Sequence, residues 1–565
     1  MSLESSSKWD IPKKIGEEEI VKYLLESRGI KDIDNFLSPS LNTIPSFDKL
    51  YDTKTASTKI LECVKSQKRI VIHGDYDCDG ICATALLWSF LYRDLSKYLN
   101  IKIDVIPYIP SRIDQGYGLT ESSLNDVLSL GANLLISVDC GVRDKENIKS
   151  YKAKGLDFVI TDHHQPPEDI IDDLDYPLVH QMFPSNEYPE REICGTTVAF
   201  LLIQRIKDEV GMSSEIDENT EGLDLVALST VTDLMPLVNS NRVLVTYGLK
   251  QIREGKRLGL RMLTLRAGIE PKDVDTYHLG YLLGPRINAA GRIGSPLEAV
   301  KLLVSMDEQV CKTISNDLND TNFSRQEMTT DILNTVQTEV LDSDNLIFVL
   351  GKNWHEGIIG LVAGKLQEKY YKPVIVATEN HGEVRGSARS IKGFNITKTL
   401  EKYQVYLERF GGHELAAGFT VKSDGVQDFR TKIIQYANKH ISKDVLQREI
   451  HIDLNLETED INFQLMNILK KLEPYGYGNP KPLIYLSNLI VLKKYIMGKD
   501  KSHLKLTVKG NGIDPLSLVL FNCFEDTEKI NENDALDVIG YPNINIWNGN
   551  ESMQFQVKEW KYYKD

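Results

Sequence analysis

The sequence predicts an α/β protein: a parallel sheet covered by helices on both faces, then a helical connector, a second α/β unit and a small C-terminal β-barrel. Three observations predict it. Short apolar runs, each followed by an amphipathic helical pattern, recur from about residue 69; the pattern restarts at LIFVL, 346 to 350; and from about 448 the chain alternates like β-structure. At 565 residues and 64.0 kDa the chain is too long for one core, so three or four domains are expected, and its 41% apolar content can bury them.

Residues 1 to about 45 read as a polar, mostly helical lead-in. The first α/β unit then has strands in RIVIHG (apolar core 70 to 74), IKIDVIPY (101 to 108), NLLISVD ending at Asp139, and DFVITD ending at Asp162. Strand, loop and helix at this spacing make a parallel sheet, and in such sheets functional groups sit on loops after the strands' carboxyl ends. Helical periodicity dominates 222 to 335, including LDLVALSTVTDLMPL around Asp233. The second unit runs from LIFVL through PVIVAT (373 to 378) to a helix near 425 to 441. LIYLSNLIVLKKY, HLKLTV, LSLVLF, DALDVIGY and MQFQVKEW supply the strands of a small closed barrel.

A net charge of −15 and a pI near 5.4 are a poor global signature for a nucleic-acid binder. A site built from carboxylates adds negative charge by itself, so that class is not excluded. Cys63, Cys78, Cys82, Cys140, Cys194, Cys311 and Cys523 form no CxxC pair and read as reduced, buried thiols. A polar start and the lack of any window near 18 uninterrupted apolar residues predict a soluble, cytoplasmic protein with no membrane partner.

The chemistry gathers at three strand ends. VIHGDYDCDG at 71 to 80 supplies His73, Asp75, Asp77 and Asp79 within one turn, with Gly74 and Gly80 to keep it tight. Carboxylates that close repel one another, and desolvation raises their pKa values; a divalent cation removes that cost. Asp139 after LLISV would alone be an ordinary helix cap. TDHH at 161 to 164 offers Asp162, His163 and His164, one imidazole as ligand and the other to support it or touch substrate. Together these suit two Mn²⁺ or Mg²⁺ ions bridged by a carboxylate, hence hydrolysis of a phosphate ester or anhydride.

The chain also resembles a known family over nearly its whole length. HGDYDCDG (73 to 80), PSRIDQGYGL (110 to 119), SVDCG (137 to 141), TDHHQP (161 to 166), CGTTVAF (194 to 200) and DLVALSTVTDLMPL (224 to 237) are followed by GPRINAAGRIG (284 to 294), WHEGIIGLVA (354 to 363), GSARS (386 to 390), GGHELAAGF (411 to 419) and LEPYGYGNP (472 to 480). This ordered series resembles the bacterial RecJ single-strand-specific DNA exonucleases of the DHH phosphoesterase superfamily.

The resemblance implies five segments: an N-terminal appendage (1–45), a DHH catalytic domain (46–250), a helical connector (251–339), a DHH-associated substrate-binding domain (340–447) and an OB-like single-strand-binding domain (448–565). It implies a metal-dependent 5′→3′ exonuclease that releases 5′-mononucleotides from single-stranded DNA in repair and recombination, a monomer with room for a helicase or single-strand-binding protein as companion. A relative acting on short oligonucleotides or cyclic dinucleotides is the alternative, which the third domain argues against.

His73, Asp77, Asp79, Asp139 as bridge, His163 and Asp233 are the implied ligands. Asp75 would orient the turn or a water, His164 contact the scissile phosphate, and Asp162 orient its neighbours. Substrate contacts fall on Arg286, Asn288 and Arg292 in the connector, on His355, on Arg385, Ser387 and Arg389, and on a tight loop of Gly411, Gly412 and His413. Tyr475 and Tyr477, with Lys499, Lys501 and Lys505, would stack on or hold the strand. His180, Gln181, Thr196, Thr197, Ser229 and Thr232 depart from the family's usual residues and put the local shape of the cleft in doubt.

Overall fold

Each apolar run that follows residue 69 ends as a strand of one parallel sheet. In the computed structural model, which describes residues 2–168, 170, 174–336, 344–380, 382–512, 514–547 and 549–564, these are β1 (Ile70–Gly74), β2 (Val105–Tyr108), β3 (Leu134–Val138), β4 (Asp157–Thr161) and β5 (Leu178–Val179). They lie in the order β2-β1-β3-β4-β5, every pair parallel. Gly74 stands opposite Val138, and Val138 opposite Thr161, so the residues that follow β1, β3 and β4 emerge side by side.

Alternation along the strands fills two cores. Ile70, Ile72, Ile136, Val138 and Val159 pack with residues of α1 (Cys78–Ser89), α2 (Gly195–Val210) and α3 (Leu223–Thr232). Val71, Leu135, Phe158 and Ile160 point the other way, against Leu124, Val127, Ile148 and Tyr151. Each fully buried aliphatic contributes roughly 1.5–3 kcal/mol of gross stabilisation, which fixes the register and with it the strand ends.

A π-helical turn, His278–Leu283, runs directly into α4 (Gly284–Ile293), and α5 (Glu308–Val336) leads to the second α/β layer. There β6 (Ile347–Lys352), α6 (Glu356–Tyr370), β7 (Val374–Asn380), β8 (Glu383–Arg389), β9 (Leu407–His413) and β10 (Ala416–Val421) make a sheet of order β9-β10-β8-β7-β6, in which only β6 and β7 are parallel. The expected boundary at 339 and 340 lies outside the described residues.

The C-terminal strands are β11 (Leu454–Asn455), β12 (Ile484–Met497), β13 (His503–Lys509), β14 (Leu516–Leu520), β15 (Ala535–Trp547) and β16 (Asn550–Tyr562). Pairing of β12 with β15 closes the ring β12-β13-β14-β16-β15, which is the small barrel the alternation predicts.

The chain divides into two compact units, residues 39–439 with 476–478, and residues 1–38 with 440–475 and 479–565. The first residues, expected as a mostly helical appendage, also contribute a strand to the second of these units. Lys8–Asp10 is a strand paired in parallel with Glu449–His451, and Ser5 N–H donates to the Trp560 carbonyl at 2.8 Å. Among the described residues no helix is long and apolar enough to cross a membrane.

Candidate metal centre

The turn after β1 is built by its own carboxylates. Asp77 caps α1, its Oδ1 accepting the N–H groups of Asp79 (2.9 Å) and Gly80 (3.1 Å). A Cβ at Gly80 would stand 2.5 Å from the backbone N and O of Asp75, so only glycine lets Asp75 fold over the start of the helix. Asn288, expected on substrate, accepts the Cys78 N–H at 2.7 Å and thereby ties α4 to this turn.

Asp139 holds a left-handed backbone, φ 63°, an uncommon and costly state for a non-glycine residue that concentrates at functional sites. It directs Oδ1 to within 3.0 Å of His163 Nε2, which also lies 3.6 Å from Asp79 Oδ2 and 3.5 Å from Asp233 Oδ2. Asp233 arrives at the C-terminal end of α3.

Whether these residues fit a cation is answered by their unsatisfied atoms. His73 Nε2, Asp75 Oδ1, Asp139 Oδ1, His163 Nε2 and Asp233 Oδ2 are all buried without a hydrogen-bond partner. Such an atom costs about 1–3 kcal/mol if left unpaired, and most of these converge. Asp75, Asp77 and Asp139 form one group of donor atoms mutually within 4.8 Å; Asp79, His163 and Asp233 form a second, and Asp139, His163 and His164 a third. All-oxygen and mixed oxygen–imidazole sets of this kind fit Mn²⁺ or Mg²⁺.

His73 belongs to none of these groups, and its Nδ1 lies 3.7 Å from Cys140 Sγ. Asp75, expected to orient the turn, lies in a donor group, while His73 Nε2 is buried without a hydrogen-bond partner outside these groups.

Without a cation the cluster resists ionisation. Burial, then the charge of Asp77, drives the Asp75 carboxyl well above its usual range. Burial and Asp79 do the same to Asp139, and they push Asp233 up to about 9. Burial lowers His163, leaving a neutral imidazole able to ligate, and lowers His73 to about 4. His164 goes the other way. Burial opposes its charge, but the hydrogen bond and charge of Asp162 outweigh that and raise it to about 9. Asp162 accepts from His163 N, His164 N and His164 Nδ1 through Oδ1, at 2.7, 3.1 and 2.8 Å, and from Val142 N through Oδ2 at 2.9 Å.

The residues that depart from the family pattern hold these groups in place. Asp79 Oδ1 accepts from Thr196 N (2.8 Å), Thr196 Oγ1 (2.7 Å) and Ser229 Oγ, and Oδ2 accepts Gly195 N at 2.6 Å. Gln181 Nε2 donates to the His163 carbonyl at 3.0 Å, and His180 Nε2 bonds that of His164 at 2.8 Å. Thr197 instead meets Cys194 Sγ, and Thr232 Oγ1 donates back to Leu228 O of its own helix at 2.9 Å.

Two residues of PSRIDQGYGL, neither of them singled out by the pattern, also reach the centre. Tyr117 Oη sits 3.2 Å from Asp139 O and 3.0 Å from His164 Nδ1. Arg112 lies over the Tyr76 ring, 4.9 Å from its centre. Only the loop's Gly-Tyr-Gly pattern hinted at either.

Arg292 and Arg389 make no ion pair among the described residues; Arg292 Nη1 donates to Gly357 O at 3.2 Å, and Arg389 Nη1 to Ala388 O at 2.8 Å. Burial, then repulsion from Arg112 and Arg325, pulls Arg292 down to about 10, and burial followed by Arg112 lowers Arg389. Asp77 attracts Arg292, which places this cationic cluster beside the metal turn. Ser387 is within 3.3 Å of Arg389 Nη1.

Other expected contacts are engaged elsewhere. Arg385 is held by Glu356 at 2.6 Å and Glu383 at 2.8 Å, and His355 Nδ1 caps α6 by accepting Gly357 N–H at 3.1 Å. Gly411, Gly412 and His413 are not a tight loop but the end of β9, paired with Gly418, Ala417 and Ala416. Gly412, at φ 148°, is required because a Cβ there would stand 2.3 Å from Ala416 O. Tyr475 belongs to the other compact unit, where its hydroxyl donates to Leu469 O at 2.5 Å. Arg286 differs: it donates to Leu282 O at 2.7 Å and Asn319 Oδ1 at 3.2 Å, neutral acceptors that leave its charge without a carboxylate partner among the described residues.

Family models match in the same order as these structural parts: the DHH family, N-terminal domain, over 69–230, the DHHA1 domain over 342–439 and the RecJ OB domain over 452–559. The chain is 33% identical over 512 residues to the single-stranded-DNA-specific exonuclease RecJ of Bacillus subtilis, covering 90% of this chain and 63% of that one. It therefore spans less than two thirds of that relative. The Haemophilus influenzae protein of the same name is 31% identical over 499 residues, with 85% and 84% covered. The crystal structure of RecJ in complex with Mn²⁺ from Thermus thermophilus superposes with a TM-score of 0.82 at 26% identity, over 99% of this chain and 80% of that one. Likeness of this extent, carried through all three matched domains, means that the chain belongs to the RecJ family of the DHH superfamily.

Proposed function

We propose that this chain is a metal-dependent exonuclease that shortens single-stranded DNA in the 5′→3′ direction and releases 5′-mononucleotides. The observation that carries the reading is the convergence of buried, unsatisfied carboxylate and imidazole atoms beside guanidinium groups that have no carboxylate partner. The activity named for the relatives supports single-stranded DNA as substrate.

Asp75, Asp77 and Asp139 would hold one divalent ion, and Asp79, His163 and Asp233, with Asp139 shared, the other. When bound, such ions supply Lewis-acid stabilisation of phosphoryl oxygens and lower the pKa of a coordinated water. The chain's own groups do the rest. Asp162 keeps His164 protonated, and His164, 43% exposed, offers Nε2–H to an oxygen of the scissile phosphate. Tyr117 donates to the Asp139 carbonyl while His164 Nδ1–H is spent on Asp162. Arg112, Arg292 and Arg389 neutralise phosphate; three guanidiniums in one place suit a doubly charged terminal phosphate better than a diester, in keeping with attack from a 5′ end. Ser387 serves as a further phosphate donor. The five-segment division belongs to the same proposal, with residues 1–38 reassigned to the barrel's unit.

Purified protein with Mn²⁺ and end-labelled strands of DNA and RNA, blocked at either end, tests this. Stepwise shortening of DNA with a free 5′ end, with protection by a 5′ block, is expected. Internal cleavage, or no hydrolysis, would overturn it.

A further inference from the structure

Two tyrosines outside every role assigned so far stand on the surface beside the metal centre. Tyr277 and Tyr281 are 58% and 72% exposed, and their rings stack on one another with centroids 5.0 Å apart and planes inclined by 25°. Neither hydroxyl bonds another described residue. Large aromatic rings left in water as a preassembled stack, with His278 edge-on to Tyr277 at 5.8 Å, offer a surface suited to a planar ligand.

Their position is fixed from both sides of the centre. Tyr277 immediately precedes the π-helical turn that runs into α4 and Tyr281 lies within it, and such turns recur at functional sites. A Cβ at Gly284 would stand 2.2 Å from Thr232 Cγ2, and one at Gly280 3.5 Å from Val231 Cγ1, so this helix lies directly against the two residues that precede Asp233. At its other end a Cβ at Gly291 would stand 2.0 Å from the Tyr76 carbonyl, between Asp75 and Asp77. Tyr281 and Tyr277 lie only about 5 and 10 Å from the Gly284 contact along the helix axis.

The neighbouring charge narrows the ligand. Arg286, one turn further on, and Arg325 on α5 make no ion pair among the described residues; Arg325 Nε is buried without a hydrogen-bond partner. Burial, then the charge of Arg286, lowers Arg325. Guanidiniums without a carboxylate partner among the described residues, one on the helix that continues from the stack and one on α5, to which Arg286 bonds through Asn319, are the complement of a polyanion that carries planar bases, not of an apolar protein face.

We propose that Tyr277 and Tyr281 are a base-stacking platform for nucleotides next to the scissile one, with Arg286 and Arg325 on the adjoining phosphates. This rests on the single-strand reading above and adds where the strand lies. Stacking reads no sequence, so the platform serves any base.

The test is binding of fluorescein-labelled single-stranded DNA in EDTA, read by anisotropy. Tyr277→Ala/Tyr281→Ala is expected to weaken binding by roughly 10- to 100-fold and Tyr277→Phe/Tyr281→Phe by less than about twofold. Abasic sites walked along the strand should reproduce the loss at one or two positions in the wild type and add nothing in the alanine variant. Equal binding by the alanine variant, an equal loss in the phenylalanine variant, or a variant-independent abasic effect would overturn the platform. A strand carrying 5-iodouracil, irradiated on the wild-type chain, needs no variant: crosslinks at Tyr277 or Tyr281 are expected, and crosslinks only elsewhere contradict the proposal. Self-association that the alanine pair abolishes, with DNA binding unchanged, would also contradict it and assign the stack to a second copy of the chain. A wild-type chain that neither binds nor shortens the strand would instead defeat the nuclease reading.

Discussion

The metal centre and the face of the second α/β layer were both marked by motifs, yet they differ in how their polar groups are spent. At the centre, hydrogen bonds hold Asp79 through both oxygens, three donors on Oδ1 and one on Oδ2, while Asp75, Asp139 and Asp233 each keep one buried oxygen without a hydrogen-bond partner. On the second layer several polar groups are closed against each other: Arg385 between two carboxylates, His355 on its own helix, Gly411 and Gly412 in a strand pair. Arg389, beside Ser387 Oγ at 3.3 Å, has by contrast no carboxylate partner among the described residues. A functional polar residue is one whose structural neighbours leave it incompletely satisfied.

The largest effect that could break this contrast comes from Asp139→Ala, which removes the carboxylate that groups with Asp75 and Asp77 and lies 3.0 Å from His163 Nε2 of the other proposed site. Hydrolysis should fall at least about 10³-fold while single-strand binding at low salt survives. Full Mn²⁺-dependent activity in the variant would erase the distinction.

Next come the residues behind Asp79. Thr196→Val with Ser229→Ala should weaken Mn²⁺ binding at one of two sites by about 10- to 100-fold, measured by titration of the metal-free protein, while Thr197→Val leaves both sites unchanged. Equal affinities would show that the hydroxyls only fill space.

A smaller contrast lies between two arginines of β8. Arg389→Ala should lower strand affinity about tenfold and flatten its salt dependence, whereas Arg385→Ala should leave binding alone and cost at most about 1 kcal/mol in urea denaturation, because the ion pairs it loses are partly exposed. Equal losses of affinity would return Arg385 to the phosphate path.

The smallest is a shift of pH profile. His164 carries a raised pKa, so its proton is present at neutral pH and is lost as pH rises through about 9. Asp162→Asn removes the partner that holds it, and the alkaline limb of the rate profile should move to lower pH; an unmoved limb would remove protonated His164 from its contact with the scissile phosphate.

Strand ends were readable because short continuous apolar runs locate them, and parallel pairing then brings His73 to Asp79, Asp139 and Asp162 to His164 together. Asp233 was not readable from pattern. Leu223 through Thr230 are all buried, so α3 has no amphipathic stripe and its final acid looks like a helix end. The hydroxyls on Asp79 come from 117 and 150 residues away, a proximity no local spacing encodes. Gly411 and Gly412 read as a loop because glycine is depleted in strands, yet β9 needs Gly412 for close approach to β10. Arg385 looked like a phosphate ligand because its partner Glu356 lies 29 residues away.

The proposed centre has Asp75, rather than His73, completing the first of two ion sites, since Asp75 lies in a donor group with Asp77 and Asp139. Anomalous diffraction from crystals grown with Mn²⁺ decides between them. Two peaks are predicted, one ligated by Asp75, Asp77 and Asp139 and one by Asp79, Asp139, His163 and Asp233. A single peak, or a first ion bound by His73 with Asp75 turned away, would contradict it.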